Sequence, residues 1–439
     1  MEPLAHRRVK LRSHAVSYWH RGWAWLAGPL LVGLVAVGLA YGSDEATRFN
    51  RWLWADRPLV PFILLPAAFA ALSWICRNWF PGAQGSGIPQ AIAAMEGEER
   101  ARPGSLLSLR IMAGKVLMTI GGLAAGASIG REGPTVQIGA SIMHAFYGRG
   151  PLQGEQQRRT LILAGGAAGI AGAFNTPLAG IMFAIEELSS QHVFKANSST
   201  LITVVMSGLV SLSLLGNYTY FGTTAANLEW RSGVLAIVVC GLAGGLAGGL
   251  FSRLLIRWTL MLPARVVAFA QARPHAWAAV CGFGVAVLGL LTDGMVFGTG
   301  YAPTRMTLED SGALPWQFGA AKFAATLLSS ASGIAGGIFA PSLAVGAGIG
   351  DNIATLLPAL APHSAIVLLV MAAYLAGVTR APLTSFIIMM EMTDSHHMLM
   401  PLMATALVAS AASKKVCHTA LYHTLAEKML PAAEGASRH

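Results

Sequence analysis

Residues Ala127–Gly139 read ASIGREGPTVQIG, and the stretch Ser332–Gly348, SGIAGGIFAPSLAVGAG, repeats the pattern loosely, its glycine-proline unit starting 207 positions after the first. Each places Gly-X-X-X-Pro, Gly130 to Pro134 and Gly337 to Pro341, ahead of a glycine-rich apolar run. Glycine admits backbone conformations closed to other residues and proline suits a first helical turn, so the unit breaks one helix and starts another. A break at membrane depth is tolerated only where it is buried in protein or lines a watery cavity. Paired breaks in corresponding halves point to a binding site between them. The pair predicts a duplicated membrane protein of broken helices.

The rest of the chain agrees. Of 439 residues, 54% are hydrophobic and 11% are charged, against roughly 25% charged in soluble proteins, which excludes a soluble fold. The apolar material lies in long charge-free blocks, which excludes disorder. Charge-free stretches at 22–43, 58–76, 196–228, 232–252, 274–292, 323–350, 352–379 and 395–413 each reach the length of a span, about 20 helical residues. Val116–Gly130 and Leu161–Ile185, the second interrupted by Pro177, are expected to be broken or re-entrant helices. Gly241, Gly245 and Gly249 form a ridge suited to close helix packing.

The net charge of +10 sits outside the apolar blocks. Arg7, Arg8, Lys10 and Arg12 precede the first, and Lys414, Lys415 and Lys428 follow the last, which predicts cytoplasmic termini rather than nucleic-acid binding. Residues 11–21 are too polar for a signal peptide, so the first block is expected to stay. Cys76, Cys240, Cys281 and Cys417 form no CxxC pair and read as packing residues, not metal ligands. Asp394, His396 and His397 lack catalytic metal spacing and read as a solvated loop. An enzyme is not expected, nor a cofactor or metal.

Three glycine-flanked segments carry the chemistry: GSGIP at Gly85–Pro89, GREGP at Gly130–Pro134 and GIFAP at Gly337–Pro341. Each would aim a helix N-terminus, worth about half a positive charge, at a common point. The first adds the hydroxyl of Ser86, the second the carboxylate of Glu132, the third only apolar side chains. This is the pattern of an anion site. Dipoles and hydroxyls, rather than a full cationic charge, keep binding weak enough for release. Arg131 is expected to brace its loop against carbonyls or an acid instead of touching the anion.

These segments, in this order, with FNTPLAGIMFAIEE at Phe174–Glu187 and RAPLTSFIIMMEMT at Arg380–Thr393, make the chain resemble the CLC family of chloride channels and chloride/proton antiporters over roughly residues 25–425. The resemblance implies an all-α integral membrane protein, a bundle of many tilted and broken helices in two inverted repeats, assembled as a homodimer in lipid with one pore per subunit. On that reading residues 1–23 form a basic cytosolic segment, 24–225 the first repeat, 226–425 the second with its final ion-site helix, and 426–439 a short tail. The absence of cytosolic regulatory domains suggests a prokaryotic protein, in the inner membrane of a bacterium.

The family also implies roles. Chloride would be held at Ser86 and Gly87, by the backbone N–H groups of Ile338 and Phe339 and by the hydroxyl of Tyr422, with Arg131, Gly130, Gly133 and Gly337 in support. Glu132 resembles the gating glutamate that competes with chloride until protonated. Glu187, the second acid of the pair, resembles the residue that carries protons on the cytoplasmic side, with Gln191 as a neighbour, while Glu186 pairs or caps. The implied function is chloride transport coupled to proton counter-transport. A CLC-type channel without coupling and a transporter of organic anions are the alternatives. Ser86 and Pro134 favour chloride over nitrate and fluoride. Thr176 and Gln90 depart from the family's usual residues and bear on local packing.

Overall fold

The computed structural model describes residues 4–97, 106–149, 152–189, 198–216, 220–222, 228, 230–309, 312 and 314–430. The first half comprises α1 (Leu4–Trp54), α2 (Val60–Asn78), α3 (Ile88–Glu96), α4 (Leu109–Ala125), α5 (Glu132–His144), α6 (Glu155–Phe174), α7 (Pro177–Phe183), which continues as a π-turn over Ala184–Leu188, and α8 (Ser198–Leu215). The second comprises α9 (Trp230–Met261), α10 (Ala264–Ala272), α11 (Pro274–Leu291), α12 (Tyr301–Leu308), α13 (Phe318–Ala331), α14 (Phe339–Leu356), α15 (His363–Thr379), α16 (Pro382–Thr393), α17 (Leu399–Val416) and α18 (Leu421–Glu427). No strand occurs among the described residues. The fold is the all-α bundle of broken helices that the glycine-proline pattern predicts.

Among the described residues, five helices are long and apolar enough to cross a membrane: Gly22–Trp54 of α1, then α2, α8, Gly233–Met261 of α9, and α11. Three of the charge-free stretches are therefore not single spans. The 323–350 stretch divides into α13 and α14 around residues 332–338, and 352–379 divides between Leu356 and His363. In 395–413, α17 begins only at Leu399. Absence of charge reports burial and not continuity. The 332–338 break stays inside because its backbone finds partners across the molecule: Gly336 N–H donates to Gly85 O at 3.0 Å, and Gly130 and Gly337 exchange N–H···O bonds of 2.7 and 2.8 Å. Buried peptide groups are rarely left unpaired, and here a symmetric bridge replaces the helix ladder.

That Gly130–Gly337 bridge joins corresponding positions of the two halves. Equivalent helices follow in the same order, α3 with α12, α4 with α13, α5 with α14, α6 with α15 and α7 with α16. Asn175 and Arg380, both left-handed with φ of 58° and 63°, end α6 and α15 just before Pro177 and Pro382 start α7 and α16. As expected, Leu161–Ile185 is thus two helices. Lys115 and Lys322 are fully buried at equivalent places, and each donates to carbonyls of the loop before α3 or α12.

Packing is closest where side chains are smallest. A Cβ on Gly139 would fall 2.1 Å from Gly165 O, and one on Gly169 2.2 Å from Thr135 O, so α5 and α6 cross backbone to backbone. Gly241, Gly245 and Gly249 meet Val408, Ala409 and Ser413 of α17, the close helix contact that their spacing predicts. Every residue of α15 from Ala365 to Thr379 is buried, as an apolar helix without a polar face requires.

Candidate ion site

The three glycine-flanked segments do converge. α3, α5 and α14 begin inside them, at Ile88, Glu132 and Phe339. Gly87 is left-handed (φ 109°), and a Cβ there would lie 2.6 Å from Gly133 O; a Cβ on Gly133 would lie 2.4 Å from Ser86 Oγ. No larger residue fits either place without displacing its neighbour. Gln90 holds the loop ahead of α3, with Oε1 accepting from Gly87 N–H at 2.9 Å and Nε2 donating to Gln84 O. Lys115 Nζ donates to Ala83 O (2.9 Å) and Gly85 O (2.7 Å). Gln90 therefore serves the packing of the site loop. At the far end of α3, the buried Arg158 donates to Ala94 O and to Gly97 O, satisfying carbonyls that a helix terminus leaves open.

This clamping presents Ser86 Oγ buried and without a protein hydrogen-bond partner. Tyr422 Oη is in the same condition, on a side chain with 0% exposure. Tyr422 is therefore not a wet tyrosine of the membrane interface. Its ring stacks on Phe339, 6.2 Å between centroids and 7° apart in plane. Ser86, Ile338 and Tyr422 line one cavity of about 480 Å³. Two buried hydroxyls lacking partners beside the first turn of α14 are donors directed at a common space.

Glu132 is fully buried at the start of α5. Its Oε1 accepts from the hydroxyl of Tyr301, and its Oε2 from the N–H of Ala340 at 3.4 Å, in the first turn of α14. A carboxylate thus lies where the helix field would hold an anion. Tyr301 lines a second cavity, of about 410 Å³, with Asp44, Thr299 and Gly300. Glu132 stands between the two cavities: its own oxygen meets Tyr301 of one, and Gly133, the next residue, backs onto Ser86 of the other.

Arg131 turns away from this axis. Its Nη1 donates to Ala40 O (2.6 Å) and Asp44 Oδ1 (2.9 Å), and its guanidinium carbon lies 5.0 Å from the Tyr220 ring centroid and 5.5 Å from that of Tyr301. It braces the loop through a carbonyl, an acid and two aromatic faces.

The neighbouring acids divide. Glu186 accepts from Leu383 N–H (3.1 Å), Thr384 N–H (2.7 Å) and Thr384 Oγ1 (2.9 Å), so it caps α16. Glu187, 3% exposed, keeps Oε1 without a protein hydrogen-bond partner. Its backbone carbonyl lies 3.1 Å from His423 Nε2, and His423 Nδ1 lies 3.7 Å from Glu96 Oε1. Tyr422 and Glu187 are therefore joined through adjacent residues of α18. Gln191 lies outside the described residues.

The residue pattern of the family described as voltage-gated chloride channel matches residues 67–414. The chain belongs to that family, the CLC proteins. Three solved structures share the CLC fold. A slow cyanobacterial Cl⁻/H⁺ antiporter superposes with a TM-score of 0.78 at 25% identity, over 94% of this chain and 98% of that one. A CLC-type fluoride/proton antiporter gives 0.75 at 23% identity, covering 92% and 97%. A eukaryotic CLC transporter gives 0.74 at 22%, covering 94% of this chain and 75% of its own.

Within this CLC architecture, three neighbours of the site were not singled out by sequence reasoning: Tyr301, Asp44 and His423. For Tyr301 a signal exists. GTGYAP at Gly298–Pro303 echoes GSGIP, and α12 is the second half's counterpart of α3. Asp44 and His423 carry no local mark. Among the described residues no group of three or more His, Cys, Asp or Glu could hold a metal, and the Asp394–His396 pair is exposed.

Proposed function

We propose that this CLC protein exchanges chloride for protons across the membrane. The observation that carries the reading is Glu132: a buried carboxylate on the N-terminus of α14, between two cavities, where a permeating anion would compete for the same N–H groups. Chloride would rest between the hydroxyls of Ser86 and Tyr422 and the N–H groups of Ile338 and Phe339, with Gly87 shaping the loop. Moving a small anion into low dielectric costs on the order of 20 kcal/mol. One helix N-terminus returns up to ~2 kcal/mol, and each hydrogen bond to a charge ~1.5–3 kcal/mol. Such terms cannot cover the whole cost, which is why water-accessible cavities reaching close to both sides of Glu132 suit the function.

Protonated, Glu132 no longer mimics an anion and yields its place. Glu187, off the chloride line and beside α18, would deliver the proton from the other side. In this orientation the Ser86–Tyr422 cavity and both termini face the cytoplasm, in a bacterial cell membrane, and the protein works as a homodimer with an independent pathway in each subunit.

The test is reconstitution into liposomes with chloride and proton flux recorded together. A chloride gradient alone should drive protons in the opposite direction. Chloride flux without proton movement under any gradient would make the protein a channel, and labelled amino-acid uptake without anion flux would favour the organic-anion alternative.

A further inference from the structure

Tyr301 is tied to Glu132 from the far side of the anion site, and the surroundings of Tyr301 hold it there. Gly300, left-handed at φ 87°, starts α12, and a Cβ on it would fall 2.5 Å from Ala344 Cβ, so α12 abuts the ion-site helix α14. Lys322 Nζ, fully buried, donates to Val296 O and Gly298 O, both at 2.8 Å, and so fixes the loop entering α12. The Tyr301 ring packs against Tyr220 (centroids 5.2 Å) and Phe221 (5.5 Å), beneath the Arg131 guanidinium. Tyr220 is itself tethered, its hydroxyl donating to Ala173 O at 2.8 Å. Packed between Tyr220, Phe221 and the Arg131 guanidinium, with its open side toward the cavity, the phenol donates its hydroxyl to Glu132 Oε1.

We infer that Tyr301 is a positioning residue, a latch whose hydroxyl holds the Glu132 carboxylate in the anion path and so sets how strongly that carboxylate competes with chloride. The inference rests on the reading of Glu132 as the gate. An O–H donor aimed at a carboxylate stabilises its seated position, and an anion that displaces the carboxylate must break that bond. Chloride affinity is thereby reduced by what the bond contributes. Serine and tyrosine on the other cavity hold the anion; this tyrosine holds the anion's competitor.

The experiment measures chloride binding by calorimetry on purified protein at one fixed pH, for wild type, Tyr301→Phe, Glu132→Ala and the double variant. Tyr301→Phe deletes only the hydroxyl and should bind chloride about tenfold more tightly, the equivalent of roughly 1.4 kcal/mol. In the Glu132→Ala background, where there is no carboxylate to latch, adding Tyr301→Phe should change affinity by less than about twofold, since coupling requires both partners. Unchanged affinity in Tyr301→Phe overturns the latch, as does the same tightening in both backgrounds, which would mark a general packing effect. If Glu132→Ala itself binds chloride no more tightly than wild type, the carboxylate is not a competitor and the gate reading falls, taking the latch with it. Tyr301→Leu lacks the same donor and carries the same expectation should Tyr301→Phe not be recovered as well-folded protein.

Discussion

Glu186 and Glu391 cap each other's helices. Glu391, in α16, accepts from Leu178 N–H (3.3 Å) and Ala179 N–H (2.8 Å) in the first turn of α7, and Glu186, in the turn that continues α7, accepts from Leu383 and Thr384 in the first turn of α16. α7 and α16 therefore run antiparallel, each N-terminus closed by an acid from the end of the other. The two acids stand at equivalent places in the repeats, and the exchange is a second symmetric contact beside the Gly130–Gly337 bridge. It explains two acids that oppose the dipoles of their own helices: each acts on the N-terminus of the neighbour.

The reciprocal caps should matter for stability more than for transport. Charged hydrogen bonds contribute about 1.5–3 kcal/mol each, so Glu391→Ala should lower the thermal midpoint of detergent-solubilised protein, and Glu186→Ala should do the same. A midpoint unchanged in both would show that the caps are incidental.

Glu132→Gln should conduct chloride without dependence on pH and should not drive protons. The amide has the shape of the protonated acid and cannot ionise, so it neither competes as an anion nor carries a proton. Liposome flux assays over a range of pH check this; uphill proton movement in the variant would place the gate elsewhere.

Ser86→Pro should shift preference from chloride toward nitrate. Ser86 Oγ is buried beside the first turn of α14 without a protein partner, so the substitution removes a donor suited to a compact spherical ion and leaves no broken protein bond behind. Anion competition for flux reads the outcome. Unchanged selectivity would mean that the hydroxyl does not face the ion.

Glu187→Gln should abolish proton transport and leave chloride flux measurable, whereas Glu186→Gln should retain proton coupling. The contrast follows from their surroundings: three donors occupy Glu186, while Glu187 keeps an oxygen without a protein hydrogen-bond partner, close to His423. The reverse pattern in simultaneous chloride and proton recordings would exchange the roles of the two acids.

The sequence by itself determined the class of this protein, its duplication and the three places where helices start at the site. Those features are local. Charge-free composition records burial in lipid or protein, and a glycine before a proline constrains the backbone whatever surrounds it, so GSGIP, GREGP and GIFAP announced α3, α5 and α14 directly. Local pattern misread the length of helices. The 323–350 stretch looks like one span because the groups that satisfy its broken backbone, at Gly85 and Gly130, are supplied from the other half of the chain. Helical spacing predicted that Glu186 and Glu187 must diverge, but only the bundle decided which one finds donors, since Leu383 and Thr384 come from α16. In the same way Arg131 meets Asp44 and Glu132 meets Tyr301 across 87 and 169 residues. A contact of that kind depends on which helices become neighbours once both repeats have packed together: GTGYAP marks a helix start at Tyr301, but nothing beside it says that Tyr301 meets Glu132.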